Sequence, residues 1–233
     1  MKALRLKLFQ ETACYKKPHA FKVAESYPLP PFSTVKGMLH ALLNAKSFIP
    51  MKLCIQGNYD TIISDYQTHY FFKKNHTNEF ALTTDGLAVS RDYSDITTMP
   101  IYMHMLYHVQ LVIYVQAEEQ VLYDLKEAFY STDNHISLGR HEDLVRVDEC
   151  EIVHLEEPED DVDLTLNAYV PKSFIHSGDS YMPLRLNWTY RIIQNVRVWD
   201  KLEVGYMQSG TTIEADQENL YVDDEGRVVF FHD

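Results

Sequence analysis

Metal-free chemistry on a phosphodiester needs a general base, a general acid and a cation for the charge that builds on phosphorus. His40, Lys36, Tyr66, His69, Lys73, Lys74 and His76 supply those side-chain types in one early stretch. With 11 His and 16 Tyr in the chain, some such set is inevitable, so residue types alone do not select a nuclease. A second grouping holds an anion without reacting with it. Lys16 and Lys17 lie in a polar loop, Ser33, Thr34, Lys36 and Gly37 open a helix, and Lys73, Lys74 and Arg91 flank a polar excursion. Gly139 and Arg140 come a hundred residues after the helix. Helix N-termini, positive-φ glycine turns and guanidinium forks all meet phosphate oxygens. The bland alternatives are plain. Arg140 can pair with Glu142 or Asp143 across a turn, and Gly37 can make room for a passing strand or helix.

Other chemistries lack their residues. His104 and His108 read as strand residues, and four strand positions span about 13 Å, too far for one ion. The chain has no H-E-x-x-H, no C-x-x-C, no phosphate-binding glycine loop and no nucleophile elbow. Neither a metal nor a cofactor is expected. Cys14, Cys54 and Cys150 are odd in number and widely spaced, as buried thiols in a reducing cytoplasm would be.

The elements that must position these residues are legible from periodicity. Residues 3–9 alternate, with Leu4, Leu6 and Leu8 on one face and Arg5, Lys7 and Phe9 on the other. The second face is a plausible nucleic-acid surface. Pro28, Pro30 and Pro31 hold an extended lead-in. Ser33 or Thr34 is then expected to cap a helix over 34–48, whose stripe is Val35, Met38, Leu39, Leu42 and Leu43, with Lys36, His40 and Asn44 on another face. Strands are expected over 51–56 and 61–74, with a turn at Gly57-Asn58, and over 102–115. Met103, Met105, Tyr107, Val109, Leu111, Ile113 and Val115 would share one side of the last. A hairpin turn at Asp85-Gly86 makes 75–100 a projecting excursion. A second helix spans 117–130, and a strand runs to about 155.

The order is β-α-β-(hairpin)-β-α-β, so the expected fold is α+β, a ferredoxin-like or RRM-type domain over 1–155. The acidic run 156–163 opens a β-rich extension over 156–233, which ends in a hairpin at 221–231. Net charge is −13, which argues against a free nucleic-acid binder. Yet residues 1–52 hold nine Lys/Arg against Glu11 and Glu25, so one basic face on an acidic body is allowed. No run is apolar enough to cross a bilayer, and no signal-peptide pattern opens the chain.

Two separated motifs carry a resemblance. Tyr27-Pro28-x-Pro30-Pro31-x-Ser33-Thr34-x-x-Gly37, followed by Leu138-Gly139-Arg140-x-Glu142-Asp143-Leu144, resembles the CRISPR-associated RAMP-superfamily subunit that caps the 5′ handle of the guide RNA in type I Cascade complexes. The Pro-Pro-x-Ser-Thr lead-in is most similar to the type I-B branch. The resemblance implies an RRM-like domain with a thumb hairpin at about 75–100, and antiviral defence in the cytoplasm within a ribonucleoprotein. It implies contacts with guide RNA, with the repeated backbone subunit and with the large subunit, and with target DNA through the complex. It places the glycine-loop role on Gly139 and Arg140 and the helix role on Ser33, Thr34 and Gly37. One branch of that family cuts precursor RNA, and its catalytic set has no defined positions here, so the expectation is a non-catalytic subunit. A metal-independent endoribonuclease is the alternative. A third reading, an acidic protein that mimics nucleic acid, rests on the net charge and the acidic run.

Overall fold

The computed structural model describes residues 1–18, 20, 23–72 and 96–232. The first half comprises β1 (Lys2–Ala13), β2 (Val23–Ala24), α1 (Phe32–Leu42), β3 (Lys52–Asn58), β4 (Thr61–Phe72), β5 (Ile96–Gln116), α2 (Glu119–Ser131) and β6 (Arg146–His154). The expected excursion at 75–100, with its Asp85-Gly86 turn, lies largely outside the described residues, as do Lys73, Lys74, His76 and Arg91. The second half is β-rich: β7 (Val162–Asp163), β8 (Asn167–Pro171), β9 (Met182–Ile193), β10 (Val196–Met207), β11 (Thr212–Ile213), β12 (Leu220–Val222) and β13 (Val228–Phe230). A single 3₁₀ turn at Lys172–Phe174 follows β8. The fold is α+β, with a large sheet and two α-helices among the described residues.

The main sheet runs β6-β1-β5-β3-β8-β10-β9, each pair antiparallel. The two strand–helix–strand units therefore interleave at its centre, and the C-terminal strands extend the same sheet past β3. Both faces are covered. Leu4, Leu6 and Leu8 of β1 share a core with Val35 and Leu39 of α1 and Leu122 and Leu125 of α2. Ala3, Cys54 and Tyr114 face the other way, onto Leu164, Phe174, Leu220, Val228 and Phe230. All three cysteines are free and buried, and burial pushes the Cys54 thiol up to about 11 and the Cys150 thiol to about 12.

That second cover overturns one expectation. Arg5 and Lys7 do point away from the leucines, but their face is not open. The turn between β12 and β13 folds over it. Arg5 donates from Nε to Glu149 at 2.6 Å and from Nη1 to Asp223 at 2.7 Å and Asp224 at 2.5 Å. Lys7 meets Glu149 at 2.8 Å and Glu225 at 2.5 Å. A strand face that reads as a phosphate surface is a closed ion network, because its carboxylates arrive from far along the chain, Glu149 from 144 positions away and Asp223 from 218.

Three boundary shifts have local causes. The helix begins at Phe32, with Pro31 at the cap position and no side-chain cap, so Ser33 and Thr34 sit inside the first turn rather than capping it. It stops at Leu42 instead of 48 because Asn44 turns left-handed at φ 48°. Gly57 and Asn58 end a strand instead of making a turn. A Cβ on Gly57 would lie 2.4 Å from the Gln110 carbonyl oxygen, so glycine here lets β3 approach β5. The long strand β5 also breaks its own alternation. His108 takes φ 52°, and Leu106 joins Val109, Leu111, Ile113 and Val115 in the helix-side core, while Met103 goes to a separate small cluster.

Candidate nucleic-acid interface

The two sequence motifs meet at Cys14-Tyr15, just past the end of β1. On one side the lead-in docks: Tyr27 N–H donates to the Tyr15 carbonyl at 2.8 Å, and Ser26 Oγ accepts from Tyr15 N–H at 3.0 Å. Lys16 bridges to Ser26. Farther along, Tyr169 fixes the lead-in by donating its hydroxyl to the Leu29 carbonyl at 2.5 Å. On the other side lies the loop 138–144. Gly139 has φ 115°, and a Cβ there would sit 3.2 Å from the Cys14 carbonyl oxygen and 2.7 Å from Asp143 Oδ2. Only glycine fits both the dihedral and the space.

Asp143 is the centre of this loop. Its side chain is fully buried. Oδ2 accepts from Cys14 N–H at 3.0 Å, from Arg140 N–H at 2.8 Å and from Arg140 Nε at 3.2 Å, and Oδ1 accepts from Arg140 Nη2 at 2.7 Å. Gln10, also buried, donates to the carbonyls of Leu138 and Asp143, both at 2.9 Å, and accepts from the Tyr15 hydroxyl at 2.6 Å. Asp143 stands in the sequence motif, but its role as the buried anchor, and those of Gln10 and Tyr15, were not read from the sequence. A polar residue inside a strand, as Gln10 is, was the available signal.

The expected site residues that the structure describes each have a definite place. Lys16 is exposed and has no carboxylate partner among the described residues, whereas Lys17 pairs with Glu25 at 3.2 Å. Ser33 and Thr34 are half-buried in an uncapped first turn, and Gly37 is exposed on the same helix with nothing within 4 Å of a built Cβ. The passing-neighbour account of Gly37 therefore finds no neighbour. Arg140 has most of its fork committed, to Asp143 and, through Nη1, to Glu142 at 2.8 Å. The bland turn pairing is present, and a phosphate would have to displace Glu142. Residues Lys73, Lys74 and Arg91 are not described.

Lys36 needs correction. Expected on an open polar face, it is 5% exposed, with its ammonium 3.1 Å from the centroid of the Trp188 ring and 5.6 Å from that of Phe48. Strand β9 covers it. Burial pushes its pKa down to about 7, while the negative face of the indole favours the charged form. The sign follows from proton binding. Between pH 7 and 10.5 the unfolded chain holds a proton on this lysine that the folded chain has released, so stability rises with pH across that window. The rise is expected to reach up to about 1.4 kcal/mol per pH unit. Lys36→Met should remove it. Urea melts at pH 7 and pH 9 with parallel changes in both proteins would refute the assignment.

His40 is also committed. Its Nε2 accepts from Ile49 N–H at 2.9 Å, so Nδ1 carries the proton that goes to the Lys36 carbonyl at 2.8 Å. A base with both nitrogens engaged is poorly placed for proton transfer. Tyr66 is exposed on β4 and meets Tyr102 directly across the ladder, with ring centroids 5.4 Å apart. Exposed paired rings of this kind are a surface on which bases can stack.

The comparisons bear on the whole chain. Comparison with curated proteins gives no match. A chain of a solved "CRISPR RNA-guided surveillance complex" superposes with a TM-score of 0.56, at 13% identity, over 97% of this chain and 92% of that one. A "CRISPR protein from Archaeoglobus fulgidus" gives a TM-score of 0.47 at 10% identity over all of both chains. The first of these shows a shared fold. The family model described as "CRISPR-associated protein (Cas_Cas5)" matches residues 3–217, nearly the full length, and the chain belongs to that family.

Proposed function

We propose that this chain is a non-catalytic subunit of a type I CRISPR interference complex, of the I-B kind, and that it grips the 5′ handle of the guide RNA. The observation that carries the reading is the convergence on Cys14-Tyr15 of the proline lead-in and the Gly139 loop. Beside them stand the open cation of Lys16 and an 11-residue helix whose first turn has no side-chain cap. The interleaved order β6-β1-β5-β3 supports the ferredoxin-like layout that the resemblance implies. The backbone and large subunits are its proposed protein neighbours, and the cytoplasm its location. No helix among the described residues is long and apolar enough to cross a membrane.

The test is co-expression with the proteins encoded beside it and a CRISPR array. The purified assembly should hold a short RNA, and a chain that never associates with guide RNA sinks the proposal. Replacing Lys16 and Lys17 with alanine should weaken RNA retention and flatten its salt dependence by about one to two units of slope. Gly37→Gln separates the readings of that residue. It should leave the melting temperature unchanged or higher, since glycine costs a helix about 1 kcal/mol, and still reduce retention. A variant that loses solubility instead would return Gly37 to packing. Repeat RNA incubated with the chain in EDTA should stay intact.

A further inference from the structure

Strands β9 and β10 form a ribbon whose base belongs to the core and whose tip does not. Leu186 and Val204 are buried, and Trp188 packs edge-on against Phe32 at 5.4 Å. Beyond Trp188, Tyr190, Ile192, Ile193, Val196 and Val198 are all exposed, Ile192 and Val196 by 60% and 61%. Pairing of Trp199 with Tyr190, Arg197 with Ile192 and Val196 with Ile193 assigns the faces. Tyr190, Ile192, Arg197 and Trp199 lie on one; Arg191, Ile193, Val196 and Val198 lie on the other. A ribbon destined for water is apolar on one face at most. This tip exposes large apolar side chains on both, beside one arginine each, and β9 is also the outer strand of the sheet.

The tip has an ordered arrangement of its own. Gln194 and Asn195 both take positive φ, 49° and 59°, in a two-residue turn that suits strand twist. The Arg197 guanidinium lies 4.2 Å from the Tyr190 ring centroid, and the Tyr190 and Trp199 rings meet at 5.3 Å. Tyr, Trp and Arg are the residues that carry most binding energy at protein interfaces, and side chains already held against one another lose less entropy on docking. Charge is segregated too. Of the six Lys/Arg after residue 156, four (Arg185, Arg191, Arg197 and Lys201) lie on this ribbon, in a stretch with sixteen Asp/Glu from 156 onward.

We propose that residues 190–198 are an insertion arm that seats in an apolar, acid-rimmed groove of a different protein subunit. Nucleic acid fits less well. Arg191 is paired with Asp200 at 2.9 Å, and four β-branched aliphatic side chains gain nothing from phosphates. A second copy fits less well, because arm and groove would be different surfaces and the contact would repeat into an open fibre.

This rests on the reading of the chain as a complex subunit, and the experiment separates the two. The full chain, carrying a photo-cross-linking phenylalanine analogue at Ile192, is co-expressed with its encoded neighbours and guide RNA. The expected product is a cross-link to another protein subunit. Ile192→Asp with Val196→Asp should cut incorporation by about tenfold with an unchanged melting temperature. A wild-type chain that assembles with nothing overturns both readings. An assembled complex whose cross-link goes to RNA, to a second copy or nowhere overturns the arm alone, as does full incorporation of the double variant.

Discussion

Arg5→Met is expected to cost the protein about 3–5 kcal/mol, the range for breaking a buried ion pair by removing one partner. The loss leaves four carboxylates, from Glu149, Asp223, Asp224 and Glu225, without their shared cation. Asp223 suffers most. Its side chain is fully buried, and it accepts from Tyr114 at 2.7 Å and from the backbone N–H groups of Glu225 and Arg227 as well as from Arg5. Burial pushes its pKa up, and the hydrogen bonds from Tyr114, the Arg227 backbone and Arg5 more than reverse that, holding it below 3.8. A carboxyl depressed on folding stabilises above its unfolded value, and that contribution fades as the pH falls below about 3.8. Without Arg5 the acid-unfolding midpoint should therefore move upward. Urea titrations at pH 7 and acid titrations of both proteins check this, and a variant as stable as the parent would refute the role given to the network.

Asp143→Ala should be the second large loss, about 3 kcal/mol or more, since it strands a partly buried Arg140 and orphans the Cys14 N–H. Gly139→Ala should produce a related defect from strain, about 1–3 kcal/mol, because the residue sits at φ 115° against Asp143. Both are expected to raise hydrogen exchange across 138–144 before the sheet is affected. Normal protection of that loop in Asp143→Ala would show that the carboxylate is not its anchor. The same geometry changes what Arg140→Ala reports. With its fork on Asp143 and Glu142, loss of this arginine should lower stability along with any RNA retention, so only a stability-matched comparison isolates the second effect.

What the sequence disclosed follows the range of the interactions involved. Alternation placed Leu4, Leu6 and Leu8 against the helices, and the apolar stripe placed Val35 and Leu39 there too. Those are local patterns read at fixed periods. Gly139 was legible because a positive-φ turn leaves a composition mark. Arg5, Lys7 and Lys36 were misplaced because burial was imposed by β12, β13 and β9, more than 150 residues downstream, and no local pattern announces a distant cover. The missing cap at Ser33 moves a helix start by two residues, and the positive φ at His108 swaps the faces of β5 without changing its register, both below what periodicity resolves.

Phe72 and Ile96 are directly opposite each other in the β4–β5 ladder. A two-residue Asn-Gly turn joining them would therefore replace residues 73–95 without touching any pairing of β5 with β1, β2 or β3. The shortened chain should fold as the parent does. It offers a clean way to ask what the excised segment contributes to assembly, uncoupled from the integrity of everything else.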